Sequence, residues 1–353
     1  MLDERALMFL RCLLDAPGPS GYETAPARVW REEAGTFADD VTSDVLGNSY
    51  ARLKNDGAPV VVIEGHIDEI GLLITHVDEQ GFLWFDHIGG WDNQVLVGQR
   101  IRVAGNEGDV IGVIGRKAAH LLDKGDRDRA VETRDLWIDI GASNRANALT
   151  RVSVGDAAVV DASFIQLTDD LCLSRSMDNR VGAFVALEAV RLLADDRPDA
   201  DVYALAATQE EISFAGASTS TVRLAPTVAI AIDVTHSTDY PTADKKRDGE
   251  VTVGGGPVLT RGASIHPAVF IGLKQAGERI GLTCPVQGAA RSSGTDADAM
   301  IRTGAGTATG LVSIPNRYMH SPNEVVSLSD LENAARLIAA YVRTITRETD
   351  FRR

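Results

Sequence analysis

Three short, uninterrupted apolar runs constrain this chain more than any other feature: VVVIEG (60–65), VYALAAT (202–208) and VAIAID (228–233). A strand with one wet face alternates apolar and polar residues, whereas these runs are continuous, so each is expected to be buried on both faces of a parallel sheet. Such a sheet needs helices to cover it. The helical period is present at 180–194, where Val181, Phe184, Val185, Leu187, Val190 and Leu193 recur, and again at about 267–280 and 328–347. The pattern predicts an α/β fold, a mixed sheet flanked by helices.

The stretch from 72 to 163 differs in kind. GLLITHV, GFLWFDHI, GQRIRVAG, GDVIGVIG, LWIDIGA and GDAAVV are short β-type pieces punctuated by glycine. They predict a small barrel-like β domain inserted into the α/β domain, which then comprises 1–71 plus 164–353. A length of 353 residues suits two domains. One segment inside the insertion, AHLLDKGDRDRAVETRD (119–135), is polar and densely charged; it reads as a solvated loop or as a loop near a site or subunit contact.

The charge balance is 35 − 50 = −15. That excess repels nucleic acid and anionic membrane surfaces and attracts cations, including divalent metals and free amino termini. Cys12, Cys172 and Cys284 are odd in number and far apart, which argues against a disulfide framework and fits a reducing compartment. The first residues, MLDERALMFLRCLLDAPGPSGYE, carry leucines at helical spacing interrupted by charges; they predict an amphipathic helix stopped at Pro17-Gly18-Pro19 rather than a signal peptide or membrane span. A cytoplasmic protein is expected.

Five segments place carboxylates or imidazoles after buried runs. His66 follows the first run directly, where ligands bind in open α/β sheets, and Asp68, two residues on, shares its side and could orient a metal-bound imidazole. Asp178 stands at the start of a helix, either as its cap or as a carboxylate between two metals. Glu210 and Glu211 are adjacent at the end of the second run; they would repel one another unless a cation neutralises one, leaving the other as a base. Asp233 ends the third run, where an unpaired aspartate is rare, and His236 either supports the site or lines its pocket. His320 lies in a polar loop, a place where a lone histidine is usually structural.

Together these residues form the nitrogen and oxygen donor set of zinc, cobalt or manganese. Five ligands exceed the roughly three that one catalytic zinc takes from protein. Sharing one aspartate between two metals about 3.5–4 Å apart accounts for the number; such a pair can polarise a carbonyl and acidify a bridging water.

The runs GPSGYE (18–23), GHIDEIG (65–71), SMDNRVG (176–182), TQEE (208–211), AIDVT (231–235), GTDAD (294–298) and YMHSPNE (318–324) resemble, in order and over nearly the whole chain, those of the tetrahedral aminopeptidases, two-metal exopeptidases that include glutamyl, leucyl and deblocking enzymes. The resemblance implies His66 and Asp233 on one metal, Glu211 and His320 on the other, Asp178 bridging, Glu210 as general base and Asp68 steadying the imidazole. It implies two divalent ions per subunit (zinc first, cobalt or manganese otherwise), short peptides with a free amino terminus as substrates, the inserted β domain, and dimers assembling into a twelve-subunit tetrahedron. Two departures bear on substrate preference. ISFAGA follows TQEE where the family usually has a glycine and a basic residue before GA, so Phe214 and Ala215 alter the wall beside the metals; and VTHSTDYPTADKKRDGE after Asp233 is unusually long and charged. A carboxypeptidase or N-deacylase of the same fold, and a non-catalytic shell protein, are the competing expectations.

Overall fold

The computed structural model describes residues 2–123, 125 and 129–352. Within it, the three apolar runs become the neighbouring central strands of one sheet. In spatial order its eight strands are Asp40–Ser43, Ser49–Leu53, Asp201–Ala207, Val60–His66, Val228–His236, Ala308–Asn316, Val258–Gly262 and Val286–Ala289. The four strands from Asp201–Ala207 to Ala308–Asn316 run parallel, and the flanking pairs introduce antiparallel steps, so the sheet is mixed as expected.

Helix Met177–Ala194 packs across the central strands and against helix Leu328–Val342. Every side chain from Met177 to Val190 is buried, which is why its sequence reads as apolar on nearly all sides. The approach is close. A Cβ added at Gly65 would lie 2.2 Å from the carbonyl carbon of Gly182, so only glycine lets this strand and helix meet. Trp30, on helix Thr24–Ala34, donates its indole N–H to Ala183 O at 2.9 Å and fastens the amino-terminal helices to the same element. Helix Glu4–Asp15 ends just before Pro17-Gly18-Pro19; Leu328–Val342 and Pro267–Arg279 occupy the two remaining predicted helical stretches.

Six antiparallel strands close into a barrel in the order Gly71–Val77, Leu83–Ile88, Leu136–Asp139, Gly108–Arg116, Arg100–Gly105 and Ala157–Val160. Leu72, Ile74, Leu83, Ile101, Ile114 and Ile138 fill it, forming a core separate from that of the α/β part. Between its second and third sequence strands the barrel sends Gly89 and Gly90 back over the α/β part, against Glu211 and His320 respectively. Part of the charged 119–135 segment lies outside the described residues; around it, Ala119–Leu121 and Thr133–Asp135 form short 3-10 turns with no buried residue.

A small third sheet pairs Leu171–Ser174 with Glu324–Ser327, opposing Ser174 to Glu324. It brings the approach to Asp178 beside the loop that carries His320.

Candidate metal centre

The carboxyl ends of the central strands converge on one cluster. The ladder between Val60–His66 and Val228–His236 ends at Glu64 and Ala231, while Val228–His236 continues to pair with Ala308–Asn316 as far as His236. Asp233 therefore stands within its strand rather than at its end. Beyond the last paired residues the two strands leave room between His66 and Asp233, whose nearest nitrogen and oxygen are 3.9 Å apart.

Asp178 lies between two imidazoles. Its Oδ1 is 3.3 Å from His66 Nε2, and its Oδ2 is 3.3 Å from His320 Nε2. His320 Nε2 is also 3.5 Å from Glu211 Oε2, and His66 Nε2 is 3.7 Å from Glu210 Oε2. Of the two sequence readings for Asp178, the cap is excluded. Asp178 and Asn179 have non-helical dihedrals, and it is Asn179 whose side chain accepts the Gly182 N–H at 3.0 Å. Asp178 is thereby left to face the histidines.

Among the described residues, His66–Asp178–Asp233, Asp178–Glu211–His320 and His66–Glu210–Glu211 each present ligand atoms within 4.8 Å of one another. The donors are carboxylate oxygens and imidazole nitrogens, and Glu211 Oε1 is buried with no hydrogen-bond partner among the described residues. The set fits divalent zinc, cobalt or manganese. The electrostatics agree. Burial opposes charging His66, yet Glu210, Asp178 and Asp68 hold its imidazole well above the ordinary value. Burial likewise pulls His320 down, but Asp178 and Glu211 carry it up to about 11. Burial pushes Glu210 up to about 9; Asp296, Glu211 and Asp178 add to the rise and His66 opposes it. Asp233 is raised well above a normal carboxyl, chiefly by burial and then by Asp178 and Glu210. The carboxylates that hold both imidazoles up against burial would attract a metal cation for the same reason.

The turn carrying the two glutamates is fixed from outside by side chains. Thr208 N–H donates to Asn48 Oδ1 at 2.9 Å and Gln209 N–H to Glu23 Oε1 at 3.1 Å. Glu210 and Glu211 N–H donate to the two oxygens of Asp68, each at 3.1 Å. Four consecutive amides thus have acceptors from three distant segments. Asp68 also lies 3.4 Å from His66 Nδ1 and accepts from Ser20 Oγ. This bracing offsets an awkward backbone: Gln209 and Phe214, on either side of the turn, both have positive φ without being glycine. On the opposite side, Glu324 does the same work. Its two oxygens accept the N–H of Asp178 at 2.9 Å and of His320 at 2.8 Å.

His66, Asp68, Asp178, Glu210, Glu211, Asp233 and His320 thus meet here, and His236 lines the adjoining cavity. The bracing residues Glu23, Asn48 and Glu324 are the ones that sequence reasoning missed as site residues, although Glu23 and Glu324 are the charged last residues of the GPSGYE and YMHSPNE runs. Glu64 and Asp296 were also missed; both are buried carboxyls beside the cluster, raised by burial. The cluster opens into a cavity of about 660 Å³, whose wall includes Phe214, His236, Gln287 and Met319.

Known proteins share this architecture. A lysyl aminopeptidase of Pyrococcus furiosus is 32% identical over 339 residues, covering 95% of this chain and 96% of its own. The crystal structure of a TET aminopeptidase from the Thaumarchaeota archaeon SCGC AB-539-E09 superposes with a TM-score of 0.92 at 31% identity, covering 98% of this chain and 97% of the other. The TET1 peptidase of Pyrococcus horikoshii, described as assembling into a tetrahedron or a large octahedral shell, has a TM-score of 0.85 at 30% identity over 96% of this chain and 99% of its own. The family model for M42 glutamyl aminopeptidase matches residues 47–337. With that match and those relatives, the chain belongs to the M42 peptidase family and is a peptide hydrolase.

Proposed function

We propose that the chain is a two-metal aminopeptidase in which His66 and Asp233 hold one divalent cation, Glu211 and His320 hold a second, and Asp178 bridges them. The observation that carries this reading is Asp178, whose two oxygens face two imidazoles from opposite sides at the same 3.3 Å. Zinc is the first expectation for both positions, with cobalt or manganese accepted by the same donors. When bound, such ions would polarise the scissile carbonyl and make an attacking water more acidic.

The protein's own groups do the rest. The carboxylates of the cavity attract the ammonium of a free amino terminus, which suits short peptides. Burial raises Glu210, and the ionised form it needs as a base is the one that divalent charge in the cluster would favour. As carboxylate, Glu210 takes a proton from the attacking water and passes it to the leaving amine. Asp68 keeps the ring of His66 oriented and holds the Glu210 amide in place.

Around this centre we place an α/β catalytic domain (1–71 and 164–353) and an inserted barrel (72–163) that serves assembly and access, in line with the approach of Gly89 and Gly90 to the cluster. The TET1 relative, described as assembling into a tetrahedron or a large octahedral shell, supports a homo-oligomer, for which we propose dimers assembling into a tetrahedral dodecamer. Three free cysteines support a cytoplasmic setting, and no helix among the described residues is long and apolar enough to cross a membrane.

The test is hydrolysis of a panel of aminoacyl-p-nitroanilides and their N-acetylated counterparts, in metal-stripped protein and after adding zinc, cobalt or manganese. Metal-dependent release from free-amine substrates alone is expected. Release from the acetylated ones would favour an N-deacylase, and no release with any metal a non-catalytic protein.

A further inference from the structure

The main cavity adjoins a second recess of about 580 Å³. His236, Gln287 and Gly288 line both. The charge changes sign between them. The first is walled by Asp178, Glu210, Glu211 and Asp233; the second by Lys246 and Arg247 against the single carboxylate of Asp248. Arg247 lies 3.6 Å from Asp248, whereas Lys246 has no ion pair among the described residues. In a chain with net charge −15, a cationic recess against the active site is an exception to the surrounding field.

The loop that supplies these cations is attached to the active-site wall. Gln287 accepts from Thr235 Oγ1 at 2.8 Å and donates to the backbone oxygen of Asp248 at 3.3 Å, so one side chain ties the strand bearing Asp233 to the turn Lys245–Asp248. Thr238 Oγ1 donates to the loop at Gly249 O and accepts from Val251 N–H, both at 3.0 Å, pinning its far end. His236, at the boundary of the two cavities, lies three residues along the extended strand from Asp233, or roughly 10 Å by strand rise. An extended peptide covers the same distance in about three residues.

We propose that this recess is a carboxylate-binding subsite: Lys246 and Arg247, beyond the boundary marked by His236, receive a substrate carboxylate at least about a tripeptide's length from the amino terminus held at the cluster. The inference rests on the aminopeptidase reading for the position of that amino terminus. Two sources supply the same chemistry, the C-terminal carboxylate of a short peptide and an acidic side chain near its start.

The experiment compares Ala-Ala-Ala with Ala-Ala-Ala-NH2, and Ala-Glu-NH2 with Ala-Gln-NH2, as kcat/KM in metal-loaded enzyme. Calorimetric Kd values for the same four peptides carrying a reduced first peptide bond give a second readout independent of turnover. The wild-type protein is expected to favour the carboxylate member of at least one pair roughly two- to fivefold, the gain of a solvent-exposed charge-assisted contact. The first pair reports the C-terminal source and the second the side-chain source. Lys246→Glu combined with Arg247→Glu should abolish or invert the ratio, and Lys246→Arg should keep it. Because each ratio is internal to one protein, a partly unfolded variant does not mimic the effect. A wild-type ratio of one in both pairs, or a ratio unchanged by charge reversal, overturns the subsite. Absent hydrolysis with a preserved binding ratio would instead overturn the aminopeptidase reading and leave the subsite standing.

Discussion

The two halves of the cluster use the same donor chemistry but are built differently. His66 and Asp233 stand on adjacent central strands and are 1% and 6% exposed. Glu211 and His320 stand on a turn and a loop; the His320 side chain is 37% exposed and its φ is +58°. The inner half is positioned by the sheet itself, through strand pairing and the tight fit of Gly65 on Gly182. The outer half has no such scaffold, and it is there that Asp68, Glu23 and Glu324 spend their oxygens on backbone amides. A site on loops reaches the accuracy of one on strands only if side chains from elsewhere brace it.

The largest test of this comparison removes what the halves share. Asp178→Ala should leave the protein unable to hold either ion, with no measurable hydrolysis; elemental analysis after gel filtration reads the metal content, and a fully metallated variant would contradict the bridge. Next, the halves should respond unequally. In metal-free protein, His66→Ala removes one of the two imidazoles that hold the buried Asp178 as a carboxylate and should lower stability by roughly 3 kcal/mol in urea unfolding. His320→Ala, at the exposed rim, should cost about 1 kcal/mol and still bind one ion per chain. Equal losses would show that the halves are alike after all.

The bracing gives a smaller and more specific effect. Glu23→Ala should lower kcat roughly 10- to 100-fold with both metals and KM kept, because the Gln209 amide loses its acceptor and the base-carrying turn its fixed geometry. Glu23→Gln, whose side-chain oxygen still accepts, should restore most of it. Loss of metal in Glu23→Ala would assign the residue to the ligands' support instead. On the inner side, Gly65→Ala should destabilise by about 3 kcal/mol or more, because the added Cβ meets the backbone of Gly182 and Ala183, measured as a lower Tm.

The same division explains what could be read from the chain. The central strands were legible because burial on both faces leaves no alternation to confuse, and His66, Glu210 and Glu211 followed because a charge after an apolar run is conspicuous. The barrel was legible as a β-rich insertion, but its closure depends on pairing Gly71–Val77 with Ala157–Val160, residues too far apart in sequence for any local pattern to show. Glu23, Asn48 and Glu324 escaped notice for a related reason. Their partners are backbone amides of other segments, and a backbone amide carries no residue identity. Asn179 escaped because Asp178 is an equally good cap on paper; only the dihedrals decide between them.

In the proposed mechanism Glu210 acts on the attacking water rather than holding metal. The most direct test is Glu210→Gln, measured as kcat on a free-amine p-nitroanilide alongside metal content by elemental analysis. Two ions per chain and a kcat roughly 10²- to 10⁴-fold lower, the contribution of a positioned general base, are the expected result. Near-normal kcat with both ions in place, or loss of an ion with the activity, would contradict it.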